Sequence, residues 1–353
     1  MSIKSTYHRL EPLAKRLEFN SRDRRLVKKY DLPALTPDEV RAIREAWPCL
    51  DIRKADLVWS RINKKLNGFS PYFLNDFQYW QILCKVNPKA QVAALQNKAM
   101  CDVYFPAIPF PEPLVRCLNG TFFDKDLKCI GRGEAAGILA GAGGYVIKPS
   151  VGSYCGRGVR KVSSPDMAAV LDSIDGAGDN FIAQKVVRQH GSISRLNPTS
   201  LNCFRVTSVF IGGKYGSSTV IKIGKKGAGV DNWNSSYIAG VSPDGKVGRE
   251  AYDVDLNPVT RTDNGIMLDG LEMPFLPALL GDIENWHRSF FPNCGVVGWD
   301  VTVDEEGRPA VIETNLEFPG ILAEQLCAGP FFEGYREEIS TLFPVVSSHS
   351  VEK

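Results

Sequence analysis

Apolar positions follow one rhythm up to about residue 90 and another after it. In TPDEVRAIREAW (Thr36 to Trp47) a threonine precedes a proline and two acids, the arrangement of a capped helix start. Ala42, Ile43, Ala46 and Trp47 then recur at helical spacing. KADLVWSRINKKL repeats the pattern through Leu57, Val58, Ile62 and Leu66, and the turn residues of NGFSPYF end it. From about Pro88 a short helix, PKAQVAALQNKAMCDVYF, runs into PAIPFPEP, where prolines break any regular element. Alternating apolar strands, glycine turns and intervening helices continue to about Pro330. There is no clean βαβ alternation, so the pattern predicts mixed α and β structure behind a helical first segment.

Composition narrows the picture. A chain of 353 residues that is 44% hydrophobic and 23% charged reads as an ordinary globular protein with a sizeable core. Its net charge of +2 offers no basic field for nucleic acid. The nine cysteines are scattered and form no Cys-x-x-Cys, which speaks against a disulfide framework or a zinc site. The start lacks the apolar core of a secretory signal, and no apolar run reaches the ~18–20 residues of a membrane span. The expectation is a cytoplasmic protein with reduced thiols.

Two stretches carry chemistry. In YVIKPSVGSYCGRGVRKV (Tyr145 to Val162) a strand ends on Lys148 and enters a loop containing Gly152, Gly156 and Gly158. Such a loop can turn several backbone N–H groups toward phosphate oxygens, with the lysine as a point charge. It lacks the Gly-Lys-Ser/Thr of a Walker loop, and a long hairpin with an exposed lysine accounts equally well for this stretch alone. In VVGWDVTVDEEGRPAVIETN two strands flank the turn DEEGRP. Glu313 and Asn315 lie two apart and share a face, and the hairpin can bring Asp300 beside them. Acids among valines are costly unless paired or metal-bound, and three oxygen ligands suit magnesium. A phosphate loop together with a magnesium site implies a nucleoside triphosphate.

These stretches resemble the ATP-grasp superfamily: Asp300, Glu313 and Asn315 are similar to its metal-binding D…E-x-N, and the Lys148 stretch to its second lysine and glycine loop. LQNKAMCDVYF resembles the segment carrying the first nucleotide lysine, which would be Lys98. NFIAQKVVRQH resembles the hinge strand whose backbone pairs with adenine, around Gln184, Lys185 and Val187; Gln184 replaces a glutamate of many relatives. More narrowly, NPTSLNCFRVTSVF, IKIGKKGAGVDNWNSSYIAGVSPDGK and GWDVTVDEEGRPAVIETNLEFPGILAEQ look like the sugar-transfer-associated group, over roughly residues 75–330.

The resemblance implies an α+β ATP-grasp fold, with two subdomains over 91–190 and 191–335 clasping ATP. A helical segment, 1–90, precedes them and a tail, 336–353, follows. It also departs from many ATP-grasp ligases, whose Rossmann-like first domain is replaced here by that helical segment. Lys98, Lys148, Gly152, Ser153, Gly156 and Gly158 would hold ATP phosphates, with Tyr154, Cys155 and Arg157 at the loop tip. Arg205, costly in an apolar strand unless paired, would hold the γ-phosphate, or else form a structural pair with Glu313. Lys222 is assigned with it to catalysis, while Asp231, Asn232 and Trp233 would line the acceptor side; Gln189 and His190 are candidates for the ribose. The implied cofactors are ATP and Mg2+ or Mn2+. The implied activity is carboxylate–amine ligation through an acyl phosphate, in bacterial polysaccharide or glycan-precursor synthesis. A kinase acting on a hydroxyl and a non-catalytic ATP-binding regulator are the alternatives, and the partners are small molecules rather than nucleic acid.

Overall fold

A computed structural model describes residues 3–153, 156–163, 166–228 and 235–343. The first segment is helical: α1 (Ile3–Lys29), α2 (Pro37–Ala46), α3 (Val58–Asn67) and α4 (Asp76–Val86). α2 starts where the sequence places it. Thr36 Oγ1 accepts from Glu39 N, and the Glu39 carboxylate accepts from Thr36 N, a reciprocal capping box. The expected helix after Pro88 is broken instead into α5 (Lys89–Val92), a 3-10 turn at Ala94–Gln96, and α6 (Cys101–Tyr104). Asn97 causes part of the break, because its side chain accepts from Ala99 N and competes with helical pairing.

The first sheet contains β1 (Pro113–Leu118), β2 (Thr121–Asp124), β3 (Cys129–Ile130), β4 (Tyr145–Pro149), β5 (Arg160–Val162) and β6 (Asn180–Lys185). Its order is β3-β2-β1-β6-β4-β5, antiparallel throughout. α7 (Arg132–Ala140) and α8 (Met167–Ala177) cover it, packing Ala135, Leu139 and Ile174 with Val115, Ile147 and Phe181.

After the short α9 (Gly191–Ser194) the second sheet follows: β7 (Cys203–Ile211), β8 (Lys214–Gly224), β9 (Ser236–Val241), β10 (Val247–Tyr252), β11 (Pro258–Val259), β12 (Val296–Val303) and β13 (Pro309–Asn315). Its order is β11-β10-β9-β8-β7-β12-β13, again antiparallel. α10 (Leu276–Phe290) packs Leu276, Leu279 and Ile283 against Phe204, Val206, Ile221, Trp299 and Val301 on one face.

Alternation puts Arg205, Thr207, Val209 and Ile211 on the opposite face of β7. Val209 and Ile211 join Val296 in a core with Ile43, Trp47 and Ile82 of the helical segment, together with Phe332 and Ile339. α11 (Leu322–Ala328) and α12 (Arg336–Thr341) complete the chain's described course. Among the described residues no helix is long and apolar enough to cross a membrane, and the described cysteines are free thiols.

Two amides tie the segments together. Asn87 donates to the carbonyls of Val296 (2.7 Å) and Leu316 (2.8 Å) and accepts from Val296 N. Gln325 donates to Leu74 O and accepts from Leu74 N. Close packing matters at Gly298, where a Cβ would fall 2.7 Å from Pro319 Cβ. Gly298→Val is therefore expected to destabilise the fold by about 1–3 kcal/mol. A urea unfolding midpoint equal to that of the unaltered chain would contradict this packing.

Candidate active site between the two sheets

A cleft of about 1320 Å³ opens between the sheets. Typical small-ligand sites occupy about 300–1,000 Å³, so it has room for a nucleotide and a second molecule. Val146, Lys148 and Gln184 line it from the first sheet, and Arg205, Lys222, Asp300, Glu313 and Asn315 from the second. α1, α3 and α4 contribute Phe19, Arg22, Trp59, Asp76 and Trp80 as a further wall.

Asp300 is the centre of the charged network. Register sets it opposite Arg205 on β7 and Glu313 on β13. Arg205 grips it with two hydrogen bonds, Nε to Oδ1 at 2.9 Å and a terminal nitrogen to Oδ2 at 2.6 Å. Lys222 Nζ adds 2.7 Å to Oδ1, and Asn315 Nδ2 3.3 Å to Oδ2. Burial alone would push the Asp300 carboxyl up; the adjacent Arg205 and Lys222 override it and hold the group well below the usual carboxylate range. The sequence alternative of an Arg205–Glu313 pair is thus replaced by a bidentate Arg205–Asp300 pair, because these residues face each other across β7 and β12.

Glu313 pairs with Lys98 instead, at 3.3 Å. Lys98 Nζ also lies 3.3 Å from Ser153 Oγ, and its backbone N donates to Ser150 O. It is a half-enclosed bridge between the two sheets rather than a solvated lysine. Lys148 crosses the cleft as well, donating to Ile312 O at 3.0 Å. That carbonyl is presented by a bulge: Asp300 pairs with Glu313 and Val301 with Val311, leaving Ile312 without a partner residue.

β4 and β5 form one hairpin, with Tyr145 opposite Val162. Gly152, Gly156 and Gly158 in its loop all have φ near +70° (67°, 72° and 78°). At Gly158 a Cβ would also meet Pro149 Cγ at 2.8 Å, so this glycine answers a close approach as well as a conformation. Gly156 lines the cleft; Arg157 is exposed, and Tyr154 and Cys155 lie outside the described residues.

The crossing from sheet to sheet runs through residues 186–190. Gln184, inside β6, donates to Pro111 O at 2.9 Å and lines the cleft, as does Val187. Lys185 also lines it but pairs with Glu112 at 2.6 Å. The side chains of the two ribose candidates are engaged elsewhere. Gln189 donates to Asn202 O and Thr302 Oγ1 and accepts from Asn202 N, and His190 caps α9 through Ser192. Asp231, Asn232 and Trp233 lie outside the described residues.

Sequence reasoning missed Glu324, Tyr79 and Asp76. Each is an ionisable or hydroxyl side chain on a helix, almost fully buried. Thr207 Oγ1 donates to Glu324 Oε1 at 2.5 Å. Burial pushes the Glu324 carboxyl up to about 6 despite Arg205 nearby, and the Asp76 carboxyl also to about 6 despite its pairing with Arg22. Trp59 Nε1 donates to Asp76 Oδ2 at 3.1 Å.

Among the described residues no three His, Cys, Asp or Glu side chains gather as a metal cluster. The oxygen set of Asp300, Glu313 and Asn315 contains two acids and an amide and fits a hard divalent cation. Each of its carboxylates already faces positive charge, from Arg205 and Lys222 or from Lys98, so the set favours a cationic neighbour.

Asp300→Asn would leave Arg205 and Lys222 sharing no carboxylate, with an expected stability loss of about 3–5 kcal/mol; chemical denaturation measures it. Glu324 and Asp76 respond to pH in the opposite sense to Asp300. Their folded-state values are raised from 4.5 and 3.8, so their contribution to stability is complete at low pH and is lost as pH rises through about 6. Asp76→Asn is expected to remove its share of that slope, on the order of 2 kcal/mol. An unchanged slope between pH 4 and 7 would show that Asp76 titrates normally.

The family model described as sugar-transfer associated ATP-grasp matches residues 79–339. No curated protein matches the chain. Among solved structures, carboxyaminoimidazole ribonucleotide synthase from Aspergillus clavatus, complexed with ATP, is 14% identical with a TM-score of 0.40, over 65% of this chain and 46% of that one. D-alanine–D-alanine ligase from Helicobacter pylori is 14% identical with a TM-score of 0.41, over 72% and 60%. D-alanyl-alanine synthetase A from Vibrio cholerae is 15% identical with a TM-score of 0.44, over 71% and 66%. The chain thus spans about half to two thirds of their length. The match over residues 79–339, well over half of the sequence, makes this chain a member of the sugar-transfer-associated ATP-grasp family.

Proposed function

We propose that the protein is an ATP-dependent carboxylate–amine ligase working through an acyl phosphate. The observation that carries this reading is the convergence of Lys98, Arg205 and Lys222 on the Asp300 and Glu313 carboxylates in one cleft, with Lys148 reaching across it to the adjoining Ile312 carbonyl. Cations from both sheets meeting at an oxygen set suit a polyanion held together with a divalent metal.

Lys98 and Lys148 bind the triphosphate from the side of the first sheet, and Ser153 with Gly152, Gly156 and Gly158 forms the loop that folds over it. Gln184, Lys185 and Val187 supply backbone contacts to the adenine. Arg205 orients the γ-phosphate for in-line attack by a substrate carboxylate, then holds the oxygens of the acyl phosphate with its planar fork. Lys222 balances the charge that develops there. Asp300, Glu313 and Asn315 hold magnesium, which when bound neutralises triphosphate charge. Closure of the glycine loop excludes water from the acyl phosphate. An amine then completes the amide, and Asp231 and Asn232 are assigned to the substrate without a described position. The family's association with sugar transfer supports a uronic acid, an amino sugar or an amino acid attached to a glycan precursor as substrate, and the scattered cysteines support a cytoplasmic site of action.

The test is ATP turnover with magnesium against pooled sugar acids, amino sugars and amino acids, following free phosphate and product mass. Phosphate release that requires both a carboxylate and an amine, with an amide product, is expected. A product heavier by one phosphate would establish a kinase instead, and ATP binding without turnover across the pool would favour a regulator. Glu313→Gln is expected to lower turnover about 10²-fold or more while changing nucleotide affinity less. Lys148→Ala is expected to weaken ATP binding, and an unchanged affinity would remove the lysine from the nucleotide site.

A further inference from the structure

Glu324 is buried to 1% exposure, yet lines the cleft. One of its oxygens accepts from Thr207, and the other, Oε2, has no hydrogen-bond partner. The Tyr79 hydroxyl is equally buried and also lacks one. It lies within the electrostatic reach of Glu324, Arg205 and Asp76. A buried polar atom left without a partner costs about 1–3 kcal/mol. Such an atom on a cleft-lining side chain, with a second in its electrostatic reach, marks a place where a ligand supplies the missing partner.

The placement is specific. Thr207, which fixes Glu324, stands two residues from Arg205 on the same face of β7. The group proposed to hold the acyl phosphate and the group that anchors Glu324 are thus neighbours on one strand. α11 lays Glu324 across that face, and Tyr79 approaches from α4, held edge-on to Phe318 at 5.4 Å and to Phe332 at 5.6 Å. A structural counter-ion to Arg205 would be redundant, because Asp300 already takes its fork bidentately.

We infer that Glu324 and the Tyr79 hydroxyl form the subsite for the attacking amine, with Glu324 Oε2 as the acceptor of its proton. The inference rests on the ligase reading above. The neutral amine nitrogen attacks the acyl carbon, and a C–N bond forms. The C–O bond to phosphorus then breaks, and inorganic phosphate departs with the bonding pair. The proton lost by nitrogen passes to Glu324 and from there to solvent. The carboxyl value near 6 agrees with a group ionised at neutral pH and able to take that proton. The ligand class is a primary or secondary amine, and ATP and the carboxylate are the co-reactants.

The test separates the two half-reactions in the full chain, using the pooled carboxylates with ATP. Hydroxylamine, unprotonated at neutral pH, captures acyl phosphates as hydroxamates without needing an enzymic base; the pooled amines report the complete reaction. Glu324→Gln keeps the shape and the contact to Thr207, and is expected to retain hydroxamate formation while losing amide formation by about 10²–10⁴-fold. Tyr79→Phe keeps the ring packing, and is expected to raise the KM for the amine while leaving hydroxamate formation unchanged. Amide formation by Glu324→Gln at the unaltered rate would overturn the inference. So would an equal fall of hydroxamate and amide, which marks a residue acting through Arg205. If Glu324→Gln does not fold, an unchanged amine KM in Tyr79→Phe overturns the subsite. Failure of the ligase reading looks different: the unaltered chain would then form no hydroxamate with any carboxylate.

Discussion

One carboxylate fixes the register of four neighbouring strands. Asp300 belongs to β12, yet its oxygens take donors from Arg205 on β7, Lys222 on β8 and Asn315 on β13. A slip of one residue in any of these pairings would turn a charged group to the face packed by α10. The price of burying Asp300 at 7% exposure is met only in the observed register. The network therefore specifies the sheet at the same point where it assembles the cleft, so stability and site geometry are not separable there.

The same pleat divides one surface between two tasks. Along β7 the face that begins with Arg205 and Thr207 ends with Val209 and Ile211, polar toward the cleft and apolar beneath the helical segment. That segment is more than a cover. Phe19, Arg22, Trp59, Asp76 and Trp80 belong to the cleft wall, although all but Trp80 precede the part of the chain that matches the family. Three helices, α1, α3 and α4, thus give the cleft aromatic rings and a buried acid, Asp76.

The sequence disclosed what depends on local spacing. The capping box at Thr36 and Glu39 reads from four residues. The juxtaposition of Asp300 with Glu313 and Asn315 follows from period-two alternation about the turn at Asp304 to Arg308. The three glycines after Lys148 announce backbone that other residues rarely adopt. What remained hidden depends on contacts across long separations. Nothing near Lys98 indicates that its ammonium meets Glu313, and nothing near Gln189 indicates that its amide is held by Asn202 and Thr302. The bulge that presents Ile312 O to Lys148 leaves no trace in the hydrophobic pattern. Glu324 and Tyr79 were hidden because they meet Thr207 and the Arg205 network only across long sequence separations.

The paired amides of Asn87 and Gln325 bear on how the molecule is made. Leu74 waits for Gln325, 251 positions later, and Asn87 for Val296, 209 positions later. During synthesis the helices therefore emerge long before the strands that cover their apolar sides. Contacts of such sequence separation form slowly, because the intervening chain must first be ordered. Until β7 arrives, Trp47, Ile82 and their neighbours have no sheet to pack on, and their core stays incomplete until β12. Nascent chains halted before that strand would present an adhesive helical bundle, a natural client for chaperones, while the first sheet can already close with α7 and α8. The helical segment thus emerges before the first sheet but completes its packing after it.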